Sequence, residues 1–85
     1  MELNRLDYAI LKLLKKNNCI SFFESMTLQE IIAKTGTARS STYRNMQKLI
    51  KYGYISKGCK STLADTFYIV PKGISLIENG GMTDD

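Results

Sequence analysis

Two glycines seventeen residues apart, Gly36 and Gly53, constrain this 85-residue chain more than any other feature. Glycine enters the left-handed region at no steric cost, and helices commonly end on it there. Between the two, Thr42, Met46, Leu49 and part of Ile50 recur at the three- and four-residue spacing of one helical face. Arg39, Ser40, Ser41, Tyr43, Arg44, Gln47, Lys48 and Lys51 are left for the other side. The spacing therefore predicts a helix over 38–52 with a basic, serine-bearing outer surface, entered and left by sharp turns.

The flanking segments read just as locally. Thr27-Leu28-Gln29-Glu30 is a capping box, in which a threonine hydroxyl accepts a backbone N–H and a glutamate reaches back to the cap. It opens a second helix with Leu28, Ile31 and Ile32 inward, closed by Lys34-Thr35-Gly36. Leu3, Leu6, Ile10, Leu13 and Leu14 predict a first amphipathic helix over about 3–16, with Arg5, Asp7, Lys12, Lys15 and Lys16 mostly on its opposite side. Tyr8 and Leu11 widen that stripe, as a central helix requires or as a contact with a second copy would. Residues 19–26, which include Phe22 and Phe23, form an apolar connection with room for one brief strand.

After Gly53 the period changes to two. Residues 54–57 and 66–70 read as an antiparallel hairpin rich in Tyr, Ile, Phe and Val, with 58–65 as its polar loop. Pro71 suits the first position of a last helix carrying Ile74, Leu76 and Ile77. One domain over 1–79 and a flexible tail over 80–85 are expected.

Composition removes most other classes. The chain has no histidine, so it has no imidazole base and no Cys/His zinc site. Cys19 and Cys59 stand forty positions apart without further ligands nearby, and no paired carboxylates or phosphate-cradling loop is visible. No enzyme, metal or cofactor is expected. The apolar runs fall well short of the roughly 18–20 residues of a membrane span, and the N-terminus runs directly into a helix. A reduced, cytoplasmic protein without a membrane partner follows.

In order, the elements are helix, short strand, helix, glycine turn, helix, hairpin, helix. Ile31, Gly36, Ala38-Arg39-Ser40-Ser41-Thr42-Tyr43-Arg44, Leu49 and Gly53-Tyr54-Ile55 fall where the MarR-like and ArsR-like winged-helix families place comparable residues. Pro71-Lys72-Gly73 resembles the turn that closes many of those domains. The chain is thus similar to a minimal winged helix-turn-helix. The resemblance implies an α+β, mainly α fold: a three-helix core, a β-hairpin wing and a short C-terminal helix. Ala38 stands where Ser or Thr often caps the third helix, so Thr37 is expected to cap one residue early. Thr42 takes a place usually held by Val or Leu.

The resemblance further implies sequence-specific binding of double-stranded DNA by a small transcriptional regulator, a repressor without an effector domain. Helix 38–52 would enter the major groove and wing 57–65 would meet the backbone or minor groove. A homodimer through helix 1 and the Phe22-Phe23 segment is expected, because a small domain gains affinity by pairing half-sites. A DNA-organising factor of a plasmid or phage, in partition or conjugation, is the alternative. A winged helix used for protein contact would instead predict an apolar or acidic third helix.

Charge supports the DNA reading independently. The net charge is +4, yet no acidic residue occurs from Ile31 to Ala64, a stretch holding seven of the twelve basic residues. Clustered cations release counterions from phosphates, with a slope of about −0.9 in log K against log salt per phosphate. Arg44 suits a guanine edge and Gln47 an adenine, while Ser40, Ser41 and Tyr43 can reach bases or phosphates. Arg39, at the helix start, suits a phosphate. Lys48 from the helix, with Lys57, Lys60 and Ser61 from the wing, completes the expected DNA-binding set.

Overall fold

Asn4 sets the start of the first helix. In the computed structural model, which describes residues 3–60 and 64–78, its side chain accepts the Asp7 N–H at 3.0 Å while its own N–H donates to Asp7 Oδ2 at 2.8 Å. This second capping box begins α1 at Arg5–Lys16, two residues later than the apolar spacing alone predicts. Asn18 then adopts a left-handed φ of 58°, and the chain leaves the helix.

The remaining elements are β1 (Met26–Thr27), α2 (Leu28–Thr35), α3 (Arg39–Lys51), β2 (Ile55–Lys57), β3 (Thr66–Ile69) and α4 (Pro71–Glu78). The capping box at Thr27 and Glu30 forms as read, and Gly36 closes α2 at φ 71°. Ala38 and Tyr52 are the caps of α3, so the expected 38–52 is one residue generous at each end. The wing hairpin is β2–β3. The brief strand expected before α2 is β1, which pairs with β3 rather than standing alone, giving the antiparallel order β1-β3-β2. The fold is the expected winged helix-turn-helix.

The core gathers one face from every helix and the inner face of the sheet. Ile10, Leu11 and Leu14 of α1, Ile31 of α2, Met46 and Leu49 of α3, and Phe67 and Ile69 of β3 are all at or near zero exposure. Leu11 therefore belongs to the core, so the wide stripe of α1 is that of a central helix. Gly73 lets α4 lie directly on the hairpin: a Cβ there would sit 2.4 Å from the Tyr54 carbonyl oxygen. Lys72 adds a second tie, donating to the Tyr52 carbonyl at 2.8 Å and lying 4.9 Å from the Tyr54 ring centroid. A cation against the last carbonyls of α3 also complements its dipole.

Asp7 corrects the sequence reading of α1. It was expected on the solvent side with Arg5 and the lysines, yet it is completely buried. The capping box turns it inward, and partners from α3 meet it there.

Candidate nucleic-acid interface

Helix α3 carries most of the expected site, and its faces follow from about 100° of turn per residue. Thr42, Met46 and Leu49 point into the core with no exposure. Ser40, Arg44, Gln47 and Lys51 then lie on the far side, with Tyr43 towards one flank and Ser41 and Lys48 towards the other. Arg39, Ser40, Ser41, Tyr43 and Arg44 are exposed, whereas Gln47 and Lys48 are half-buried. The exposed polar surface is therefore richest in the first two turns of the helix.

The glycine turn that presents those turns is held by hydroxyls. Thr35 Oγ1 donates to the Ile31 carbonyl and meets Thr37 Oγ1 at 2.8 Å; Thr37 Oγ1 in turn meets Thr42 Oγ1, which donates to the Ala38 carbonyl. This chain of three hydroxyls links the end of α2 to the start of α3. It also corrects the expected cap. Ala38 has no side-chain cap bond, because the Thr37 hydroxyl is drawn to Thr35 and Thr42 instead. The threonine at position 42, where related patterns carry an aliphatic residue, is the inner anchor of that chain. The first N–H groups of α3 consequently lack a side-chain acceptor, which suits them to an anion.

Arg39 and Tyr43 line a cavity of about 240 Å³ between α3 and the wing, together with Leu28, Gln29, Ala64, Asp65 and Phe67. Tyr43, half exposed, thus leans towards the wing as much as outward. Lys57 and Lys60 stand on the wing, exposed. Ser61 and the tail 80–85 lie outside the described residues.

Acid-free in sequence is not acid-free in space. Asp65, one residue past the acid-free stretch, lies 3.5 Å from Lys57 Nζ and 3.9 Å from Lys60 Nζ. Lys48 Nζ is 2.6 Å from Asp7 Oδ2. Three of the seven unopposed cations therefore have carboxylate partners, and Lys48 is turned to the interior rather than to the outer face. Among the described residues, Lys34, Arg39, Arg44 and Lys51 form no ion pair. Within the acid-free stretch, the cations without an ion pair among the described residues thus lie on the turn and α3.

Sequence reasoning missed Asp7, Asn45 and Asp65 as residues that shape this surface. The Asn4-x-x-Asp7 spacing signalled a cap, and Asp65 bordered the acid-free run. No local pattern could reveal that Asp7 meets α3, because the partners are about forty residues apart.

Both cysteines are free thiols. Burial raises the pKa of Cys19, and the charges of Glu30 and Glu24 raise it further, so little of it is thiolate at neutral pH. Among the described residues no group of His, Cys, Asp and Glu is placed to hold a metal ion, and no helix is long and apolar enough to cross a membrane.

Residues 9–58, covering both helices of the turn and the first wing strand, match the IclR helix-turn-helix domain. The chain belongs to that helix-turn-helix family. It is also 32% identical over 79 residues to the DNA-binding protein TubR of a Clostridium botulinum C phage, an alignment covering 93% of this chain and 98% of that one. The fold is shared with TubR from Bacillus megaterium pBM400 at a TM-score of 0.85 and 16% identity, covering 96% of this chain and 90% of the other. A MarR family protein from Bacillus stearothermophilus superposes at a TM-score of 0.76 with 16% identity. That match takes in 93% of this chain but 51% of the MarR protein. The chain thus spans nearly the whole phage TubR but about half of the MarR family protein.

Proposed function

We propose that this helix-turn-helix protein binds double-stranded DNA sequence-specifically, with the first turns of α3 in the major groove and the wing against the backbone. The observation that carries this reading is the set of Lys34, Arg39, Arg44 and Lys51 on the turn and on α3, which form no ion pair among the described residues, on a fold shared with a DNA-binding relative. Arg44 takes the base-reading role and Arg39 the phosphate at the open helix N-terminus. Ser40, Ser41, Tyr43 and Gln47 add hydrogen-bonding groups, and Lys57 and Lys60, with Ser61, anchor the wing. Transcriptional repression is one use of such binding.

A second use, the organisation of plasmid or phage DNA in partition, is supported by the relatives themselves: the phage TubR aligns over nearly its whole length, as larger regulators do not. The two uses share one interface.

Pairing of two copies would place two recognition helices on two half-sites. The exposed patch of Ile20, Phe22 and Phe23, with the two rings edge-to-face at 5.2 Å, is the surface best suited to it. It is fixed to the wing base, where the Phe22 carbonyl accepts the Cys59 N–H at 2.9 Å.

Binding to labelled duplexes from the DNA flanking the gene, at two salt concentrations, tests the reading. Tight, salt-steep binding that prefers one duplex is expected. Absence of binding at low salt would remove the proposal altogether.

A further inference from the structure

We propose that Thr42 is a positioning residue for sequence discrimination: through Thr37 and Thr35, its buried hydroxyl fixes the angle at which the first turns of α3 meet DNA. The inference rests on the DNA-binding reading above and concerns a side chain with no surface for DNA to touch. Thr42 is completely buried, yet it stands among the exposed residues Arg39, Ser40, Ser41, Tyr43 and Arg44. Its hydroxyl donates to the Ala38 carbonyl at 2.8 Å and meets Thr37 Oγ1 at 2.5 Å. Thr37 Oγ1 lies 2.8 Å from Thr35 Oγ1, which donates to the Ile31 carbonyl at 2.8 Å. With the protons of Thr35 and Thr42 on carbonyls, that of Thr37 is left to serve both hydroxyl contacts. A bridge thus runs from α2 to α3 through one residue of the turn.

Packing alone does not call for this bridge. Burying a hydroxyl costs free energy unless it is bonded, and an aliphatic side chain would fill the same space without that cost. Nor is the Ala38 carbonyl in need of it, since that oxygen already accepts the Thr42 N–H at 3.0 Å. What the bridge spans is Gly36, the most permissive residue of the turn, at φ 71°. The seat of α3 is held separately, by Met46 and Leu49 in the core and by Asn45 Nδ2, which donates to Asp7 Oδ1 at 2.6 Å. Loss of the bridge therefore leaves the helix seated but lets its first two turns shift against α2. A roll of about 10° there carries a side-chain tip, about 5–6 Å from the helix axis, through about 1 Å. That is enough to spoil a bidentate pair between Arg44 and a base edge, while a phosphate contact tolerates it.

The ratio of affinities for the preferred flanking duplex and for a random-sequence duplex tests this, with urea unfolding measured alongside. T42V keeps the branched shape and removes the hydroxyl. Its ratio is expected to fall by at least roughly fivefold, the cost of one mildly mismatched base pair. Binding to random sequence should stay within about twofold, since no cation is touched. T42S keeps the hydroxyl but opens a methyl-sized gap in the core, so it should unfold at lower urea and retain the wild-type ratio. T35V cuts the same bridge at its half-buried end and should lower the ratio as T42V does, and the double variant T35V/T42V should lose little more than either. An unchanged ratio in a folded T42V overturns the proposal. So does a ratio that falls as far in T42S as in T42V, because discrimination would then follow core packing rather than the hydroxyl. If T42V fails to fold by circular dichroism, T35V decides alone, and an unchanged ratio there overturns the proposal. Wild-type binding that is absent or shows no preferred duplex is a different result: it removes the sequence-specific reading, and this inference with it.

Discussion

The helix-turn-helix corner and the wing are built on different terms. The corner is local. Its turn is made by Gly36 at φ 71° and three neighbouring threonine hydroxyls, and its cations Lys34, Arg39 and Arg44 form no ion pairs among the described residues. The wing is non-local. Its base is pinned by Gly58 and Cys59 against residues 22–25, by Ser25 Oγ on Thr66 Oγ1 at 2.8 Å, and by β1 on its outer edge. Its two lysines share the carboxylate of Asp65. A count of cations on a surface thus does not by itself measure its attraction for phosphate.

The comparison is most directly broken by removing one cation from each side. Arg44→Ala is expected to cost about 1–3 kcal/mol on a preferred DNA site and much less on random sequence, as a lost base contact does. Lys57→Ala should weaken both duplexes alike and by less, since Asp65 already offsets part of its charge. Fluorescence anisotropy on the two duplexes measures both. Equal losses for the two variants would mean that the ion pairs of the wing do not limit it.

The same difference explains what was legible in the sequence. The corner could be read almost completely, because capping boxes, glycine stops and helical spacing act over three to seventeen residues. Helix α3 was placed to within one residue, and its inward set of Thr42, Met46 and Leu49 is the set that the structure buries. The role of Thr37 was misread because a hydroxyl has several local acceptors, and only folding brings Thr42 within reach. The wing hairpin was legible as a period of two and a brief strand before α2 as an apolar connection, but the pairing of β1 with β3 was not, since it joins residues about forty positions apart. Charge pairing was the least legible. A run without acids says nothing of an Asp65 that folds back beside Lys57, or of an Asp7 arriving from another helix.

A substitution at the turn sharpens the conformational half of the contrast. Gly36→Ala meets nothing within 4 Å, so its cost is confined to the backbone: φ 71° is strained for any residue with a Cβ. A loss of about 1–2 kcal/mol in urea unfolding is expected. At Gly58 the reason for glycine is space, because a Cβ would stand 2.5 Å from Ser25 Oγ and 2.7 Å from the Phe22 carbonyl oxygen. Trimming a neighbour should relieve nothing at Gly36, whereas Ser25→Gly should partly rescue Gly58→Ala. A rescue that failed would place the strain of Gly58 in its conformation and erase the distinction.

Asp65→Asn is the smallest of these changes. Its ion pairs are solvent-exposed and 3.5–3.9 Å long, and such pairs are worth roughly 0–1 kcal/mol, so folding stability should stay within about 0.5 kcal/mol of wild type. Binding should respond in the opposite sense to every substitution of a cation. Freed of the carboxylate, Lys57 and Lys60 can each neutralise a phosphate more fully, and the affinity for random duplex rises a few-fold at low salt. The gain should fade as salt is raised, because exposed charges about a Debye length apart, roughly 10 Å at 0.1 M, are screened. The asparagine keeps the shape and most of the polarity of the side chain, so a gain that persisted at high salt would reflect a rearranged wing rather than released charge. A wing that gained nothing at low salt would be one whose lysines point away from DNA, and the corner would then carry the interface alone.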